Sequence, residues 1–338
     1  MKKHLQIMTI ALSFILLVSC ATGSGDSGKQ ARDLDLLYPA DKYVCAVGYG
    51  ETEVQADNDA RLQLASSFGM SIKSSVSTAL REEMSVTGMD DASSFSKYFS
   101  SESSISVNIS DLYGVMIADR YESDGGYVSV AVMERRTTAD YYNSKLEQTF
   151  ERIRNEEIRA EGKQGTLEGV ETAAEVIRLL DEYNYQVAVC NCLANRNIGF
   201  INMSSAYELY KQAVDAVVFD LEVTGDDSGA VESAIGIVLT GLGFSISKES
   251  TSPAARATAN VVWRESAGTG AASAFTFANF NADISIVDLN GDGSVMVFSA
   301  KGKEGHQNYE NARSRAVNKL AEQILNEFGE EFRQKYGY

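Results

Sequence analysis

The one strongly apolar segment of the chain, residues 7–18, lies directly behind Lys2 and Lys3 and carries no charge. A membrane-spanning helix needs about 20 such residues. A run this short behind a positive start reads as the hydrophobic region of an export signal. No later uncharged run reaches spanning length. The nearest, Ser233 to Ser247, contains Gly236, Gly241 and Gly243 and reads as a buried helix followed by a strand. The chain beyond the signal is therefore expected to fold as globular material outside the cytoplasm.

The segment closes on Leu17-Val18-Ser19-Cys20. This resembles the bacterial lipobox, in which a small residue precedes the cysteine that becomes the first residue of the mature chain. The resemblance implies a diacylglyceryl group on the Cys20 thiol and an acylated amine. Each buried methylene contributes about 0.8 kcal/mol, so three chains would hold the protein in the membrane essentially permanently. In lipoprotein sorting an Asp after the cysteine favours the inner membrane. Ala21 stands there instead, which implies the outer membrane, periplasm-facing. Residues 21–37 open Gly- and Ser-rich and read as a tether spanning about 23 Å.

The 338 residues are enough for two domains with cores of their own. The net charge is −17, and removal of residues 1–19, which carry two lysines and no acid, makes it −19. Such a surface disfavours nucleic acid and anionic headgroups as partners. Besides Cys20 there are Cys45, Cys190 and Cys192, an odd set and a poor disulfide framework. Cys45 reads as a buried strand residue. Cys190 and Cys192 fall on a helix, too close in sequence for disulfide geometry and too few to hold a metal.

Residues 43–48 read as a strand broken by Gly48-Tyr49-Gly50. A helix is expected from Val54 to Phe68, with Ala56, Ala60, Leu64 and Phe68 recurring every fourth residue. Alternation at Met70, Ile72, Ser74, Val76, Thr78 and Leu80 predicts a strand. Further strands are expected at Ile105/Val107/Ile109, at 114–120 and at 127–133, the last two joined by an Asp124-Gly125-Gly126 turn. Helices are predicted over 139–160 and 167–195. The C-terminal part is expected to run strand 216–223, helix 229–242, and strands 244–248, 257–264, 274–288 and 293–301. A final helix over 308–335 carries Ala312, Ala316, Leu320, Ile324, Phe328 and Phe332 on one stripe.

The fold class predicted is α+β: two α/β sandwich-like modules, each an antiparallel sheet packed by helices, joined by a helical hairpin. The expected divisions are a signal peptide (1–19), lipidated cysteine and tether (20–37), first module (38–138), hairpin (139–200) and second module (201–338). Residues 43–135 resemble the lipoprotein 20 family of small envelope lipoproteins. The residues that carry this are the Gly48-Tyr49-Gly50 strand end, the helix with Ala56, Asp59-Ala60-Arg61 and Leu64-Ala65, the stretch Gly69 to Val76 read as a strand, and the hairpin at Gly125-Gly126. The resemblance implies a structural or assembly role in the envelope without enzymatic activity.

Few motifs offer chemistry. Gly48-Tyr49-Gly50 imitates a dinucleotide loop, but Glu53 replaces the third glycine and Glu51 adds a second charge that repels pyrophosphate. Asp288-Leu289-Asn290-Gly291-Asp292-Gly293 matches half of a calcium loop, with Asp288, Asn290 and Asp292 as oxygen ligands. Ser299 stands where the closing glutamate belongs, and a hairpin turn accounts for the same residues without an ion. Beyond residue 19 His306 is the only histidine, placed in a polar turn and expected to face solvent. No nucleophile, zinc or phosphate-loop motif accompanies it. Phe275, Phe277 and Phe280 read as an uneven core strand or an apolar contact surface. No cofactor and no catalytic residue is expected. The partners expected are the membrane, through lipid, and envelope proteins or a second copy. The alternative reading is a periplasmic ligand or lipid carrier with a pocket between its modules.

Overall fold

The computed structural model describes residues 34–87, 112–123, 125–194, 196–247, 252–291 and 293–338. The signal segment, Cys20, most of the tether and the strand expected at Ile105/Val107/Ile109 lie outside these residues. The chain divides into two compact units, 1–139 and 140–338.

In the first unit, a single helical turn α1 (Leu34–Leu37) stands where the tether was expected to continue. It is succeeded by β1 (Tyr43–Gly50), α2 (Glu53–Thr87), β2 (Val115–Ser123) and β3 (Gly126–Glu134). The sheet has the order β1-β3-β2, antiparallel throughout, with β3 central. Helix α2 starts at a capping box: Thr52 Oγ1 accepts from Gln55 N–H (3.3 Å), and Gln55 Oε1 accepts from Thr52 N–H (3.2 Å). Its buried stripe is Ala56, Ala60, Leu64, Phe68 and Ile72.

The strand expected over residues 70–80 is thus the continuation of α2. Alternation would put Met70 and Ile72 on one face, yet Ile72 is fully buried and Met70 is 64% exposed. Ile72 extends the four-residue series of the preceding turns. The serines are accommodated because Ser67 and Ser71 hydroxyls bond back to the carbonyls of Leu64 and Ser67.

The second unit opens with α3 (Arg135–Gly162, whose first turn belongs to the first unit) and α4 (Leu167–Ala194). They form the predicted hairpin, turning at Gly165 (φ +76°). Buried Gln186 donates to Thr149 across the pair (3.2 Å). Arg152 reaches Glu175, and Arg159 and Lys163 both reach Glu168. Two asparagines of α4 then grip the segment after it: Asn191 pairs both amide atoms with the backbone of Ile198, and Asn184 does the same with Ile201. The next helix, α5 (Ser204–Asp215), was not anticipated, although Met203, Ala206, Tyr210 and Ala213/Val214 are spaced and buried as one helix face.

Next come β4 (Val218–Thr224), α6 (Ala230–Gly241), β5 (Ser245–Ile246), β6 (Ala255–Ala267), β7 (Thr276–Asp288) and β8 (Gly293–His306). The sheet order is β5-β4-β6-β7-β8. β6, β7 and β8 are antiparallel, but β4 is parallel to both β5 and β6, so this sheet is mixed where an antiparallel one was expected. The chain reverses through α6, and a helical crossover delivers parallel strands.

The helix-facing side of this sheet is lined by small residues, Ala257, Ala259, Ala278, Ala282 and Ala300, all buried. They admit the Ala312 and Ala316 turns of α7 (Tyr309–Gln323) against the sheet. A π-helical turn, Ile324–Phe328, leads into α8 (Gly329–Tyr336). Buried residues recur every fourth position from Ala312 to Tyr336. In an α-helix that spacing drifts about 40° per step. The wider π turn takes back part of the drift and keeps Phe328, Phe332 and Tyr336 over the sheet. There Phe328 meets Phe298 (5.7 Å) and Phe332 meets Phe244 (5.8 Å).

The stripe is therefore core of this unit. Phe328→Ala should destabilise by about 3–5 kcal/mol, lowering a calorimetric transition of the full chain. An unchanged thermogram would show that the π turn does not hold this side chain in the sheet core.

Candidate functional site

The glycines of the dinucleotide-like segment serve packing. A Cβ on Gly48 would lie 2.0 Å from Ala60 N, and one on Gly50 would lie 2.5 Å from Ala56 N. Helix α2 returns so closely over its own strand that only glycine fits. Asp59, part of the family-like Asp59-Ala60-Arg61, accepts the N–H of Tyr49 at 2.9 Å and so covers a donor at the edge of β1.

Two positions earlier in α2, Asp57 is the polar centre of the first unit. Arg120 of β2 donates to both its oxygens (Nε–Oδ1 2.9 Å, Nη2–Oδ2 2.8 Å), and Ser129 of β3 donates to Oδ1 at 2.7 Å. Arg120 is paired in register with Ser129, and Ser129 with Gly48, so these positions share the face that meets the helix. The Arg120 hydrogen bonds chiefly, aided by Ser129 and against burial, hold the Asp57 carboxyl down at about 2. The three residues are far apart in sequence and belong to no motif, which is why sequence reading passed over them.

In the second unit, the two described residues of the calcium-like triplet come together, but with backbone. Asp288 is buried. Its Oδ1 accepts from Asn290 N–H (3.1 Å) and Gly291 N–H (2.9 Å), and its Oδ2 accepts from Leu167 N–H (2.7 Å) at the start of α4. Asn290 donates its amide to Gly165 O at 3.0 Å. Asp292 lies outside the described residues. The carboxylate acts as a helix cap delivered from 121 residues away, placed where the helix dipole favours negative charge. Among the described residues no group of three His, Cys, Asp or Glu side chains is placed to hold a metal ion.

Asp226 caps α6 in the same manner. Burial pushes its carboxyl up, but donors from Ser228, Glu232 N–H and Val231 N–H outweigh this and hold it below the usual carboxylate range. His306 ends β8 half-buried rather than in open solvent, and its Nδ1 accepts the N–H of Asn308 (3.2 Å). Cys190 is buried in α4, and desolvation pushes its thiol up to about 11, so it stays protonated and inert. Cys45 and Cys192 are partly buried. Burial likewise raises the phenol of Tyr336, a core side chain that stays neutral.

The three phenylalanines divide. Phe280 packs over Gly302 and beside Trp263 (5.9 Å), and Phe277 lies over Gly305 with Lys303 Nζ 5.1 Å from its ring. Each ring covers the glycine directly opposite in the β7–β8 register. Phe275, in the β6–β7 connection, is 42% exposed. What remains open is the far face of the second sheet. It presents Asp220 and Glu222 with Arg256 between them, Asp283 bonded to Ser299 (2.6 Å), and the exposed residues Val262 and Val297. Such an arrangement offers contact surface and hydrogen-bonding groups rather than a converging set of acids, bases or nucleophiles.

No protein-family profile and no curated protein sequence matches the chain. Among solved structures it is similar to the secreted protein HP1454 from Helicobacter pylori, with 11% identity and a TM-score of 0.44 over 84% of this chain and 98% of that one. It is also similar to a minor lipoprotein from Acinetobacter baumannii (14% identity, TM-score 0.27, 34% of this chain and 93% of that one). A third is lipoprotein GNA1162 from Neisseria meningitidis (11%, TM-score 0.25, 34% and 99%). At TM-scores below 0.5 these likenesses transfer no function to this chain.

The Asp57 latch makes stability of the first unit depend on acid. A carboxyl depressed from 3.8 to about 2 contributes stability that is fully present above pH 4 and lost as pH falls towards 2. Asp57→Asn should cost about 1–2 kcal/mol at neutral pH, allowing for the half-exposed Arg120, and should flatten the acid limb of a urea-midpoint profile. An acid limb identical in both proteins would remove Asp57 as its source.

Proposed function

We propose that this chain is a bacterial envelope lipoprotein, held at the outer membrane by lipid on Cys20, with an architectural role carried out by protein–protein contact. The observation that carries the reading is the export-like segment closing on Leu17-Val18-Ser19-Cys20, with Ala21 after the cysteine. No helix among the described residues is long and apolar enough to cross a membrane, so lipid is the attachment that the reading calls on.

The geometry supports a non-enzymatic role through the uses its acids are put to. Asp57, Asp226 and Asp288 spend their oxygens on an arginine, hydroxyls and backbone N–H groups. These are positions in which a carboxylate holds two elements together and is not presented to a substrate. The resemblance of residues 43–135 to the lipoprotein 20 family points the same way, and its partners would be other envelope proteins or further copies of the chain.

Cys20→Ser should move the protein from the detergent phase to the aqueous phase on detergent-phase partitioning. It should also fail to restore envelope integrity, read as detergent sensitivity, in cells lacking the protein. A serine variant that stays with the membrane fraction would sink the anchor. One that leaves the membrane yet restores integrity would sink the anchored architectural role.

A further inference from the structure

β8 is the edge of the second sheet and runs for 14 residues, Gly293–His306, or roughly 45 Å of extended chain. Every second residue of an edge strand turns its N–H and C=O away from its neighbour. Among the described residues β8 pairs with β7 alone, and no backbone hydrogen bond reaches its outer side. Natural sheets protect such an edge with charge, proline, a bulge or a cover. Here a bulge falls at Val295, opposite Ile286/Val287, and Lys301 and Lys303 occupy the far half. Between them runs Met296-Val297-Phe298-Ser299-Ala300, five residues without charge, proline or glycine. That composition makes an unpaired edge prone to pairing. Val297, within it, is 66% exposed.

We infer that β8 is the surface through which two copies of this chain associate, edge to edge and antiparallel about Val297. Charge works against two of the alternatives. Parallel pairing in register would set Lys301 beside Lys301 of the other copy. Antiparallel pairing centred near Gly302 would set Lys301 opposite Lys303. Centred on Val297, each Lys301 meets the other copy's Gly293, and the two Lys301 residues stand roughly 27 Å apart, well beyond the screening length at physiological salt. Met296, Val297 and Phe298 of each copy are then paired with Phe298, Val297 and Met296 of the other. An isologous contact of this kind satisfies two bare edges at once, since each copy brings the same need. This names the partner in the proposed architectural role and rests on that reading, yet it fails separately. A monomeric protein would sink the pairing and leave detergent-phase partitioning untouched.

The test uses the full-length protein in detergent. Sedimentation should give a dimer, and Val297→Lys should weaken it about tenfold or more through like charges set opposite each other, with an unchanged melting temperature. Val262→Lys, on the same sheet face but two strands inward and 45% exposed, should leave the dimer intact. Under mild oxidation Val297→Cys should cross-link to itself and Lys301→Cys should not. A monomer at all concentrations, a dimer indifferent to Val297→Lys, or an edge occupied only by a strand of another protein would overturn the inference. Should Val297→Lys unfold the protein, failure of Val297→Cys to cross-link overturns it as well.

Discussion

The second unit depends on the carboxylate of Asp288. It receives the N–H of Leu167 at the head of α4 and those of Asn290 and Gly291 in the turn after β7. A buried carboxylate is tolerated only when its charge is met by donors, and here three backbone dipoles meet it. The same bonds meet donors that the helix start and the turn would otherwise leave open. Asn290 adds a bond to Gly165 in the helix turn. At the other end of the sequence, Arg178 of α4 donates to Gly337 O, and Tyr210 of α5 donates to Tyr336 O. The helix pair is thereby fastened to the sheet at one turn and to the last helix at another, and it belongs to the same compact unit as the C-terminal module.

Around these polar fastenings, packing is governed by what has been left small. Gly48 lets α2 touch its own strand, and the alanines of β6, β7 and β8 let α7 do the same in the second unit. Where the helix layer thickens, aromatic rings fill the space from Phe219 through Phe244 to Phe332 and Tyr336. Helices cover the inner face of the second sheet, while its outer face and the β8 edge carry the exposed residues. The proposed architectural role calls for that division: a packed interior and a surface left for contact. Asp288, which the sequence offered as a calcium ligand, is part of the interior fastening.

Much of this was legible because periodicity reports burial. The α+β class, the helix pair and the final helix with its stripe come from recurring apolar positions, and the parting of strands at Gly125-Gly126 comes from turn residues. The stretch from Met70 to Leu80 misled because period two and period four coincide at every fourth residue, and Ser, Thr and Val favour strands in isolation. Only the continuation from Phe68 to Ile72 decides for the helix. The parallel placement of β4 was missed although strand 216–223, helix 229–242 and strand 244–248 form the succession that a parallel crossover requires. The Asp57, Arg120 and Ser129 latch and the Asp288–Leu167 cap were hidden for a different reason. A hydrogen bond between residues 63 or 121 positions apart leaves no periodic trace. The Asp288 to Gly293 segment shows the effect most plainly, because a turn that caps a helix and a turn that binds calcium need the same oxygen atoms.

Those two uses are separated by a calcium titration of the full-length protein and its Asp288→Ala variant, followed by thermal denaturation. If Asp288 is a structural cap, the wild-type midpoint is the same with millimolar calcium and with chelator. Asp288→Ala then melts lower by the same amount in both, a loss of about 2–4 kcal/mol for a buried charge-assisted cap. A wild-type midpoint that rises with calcium, with the rise abolished by Asp288→Ala, would contradict the account and make the turn a metal site.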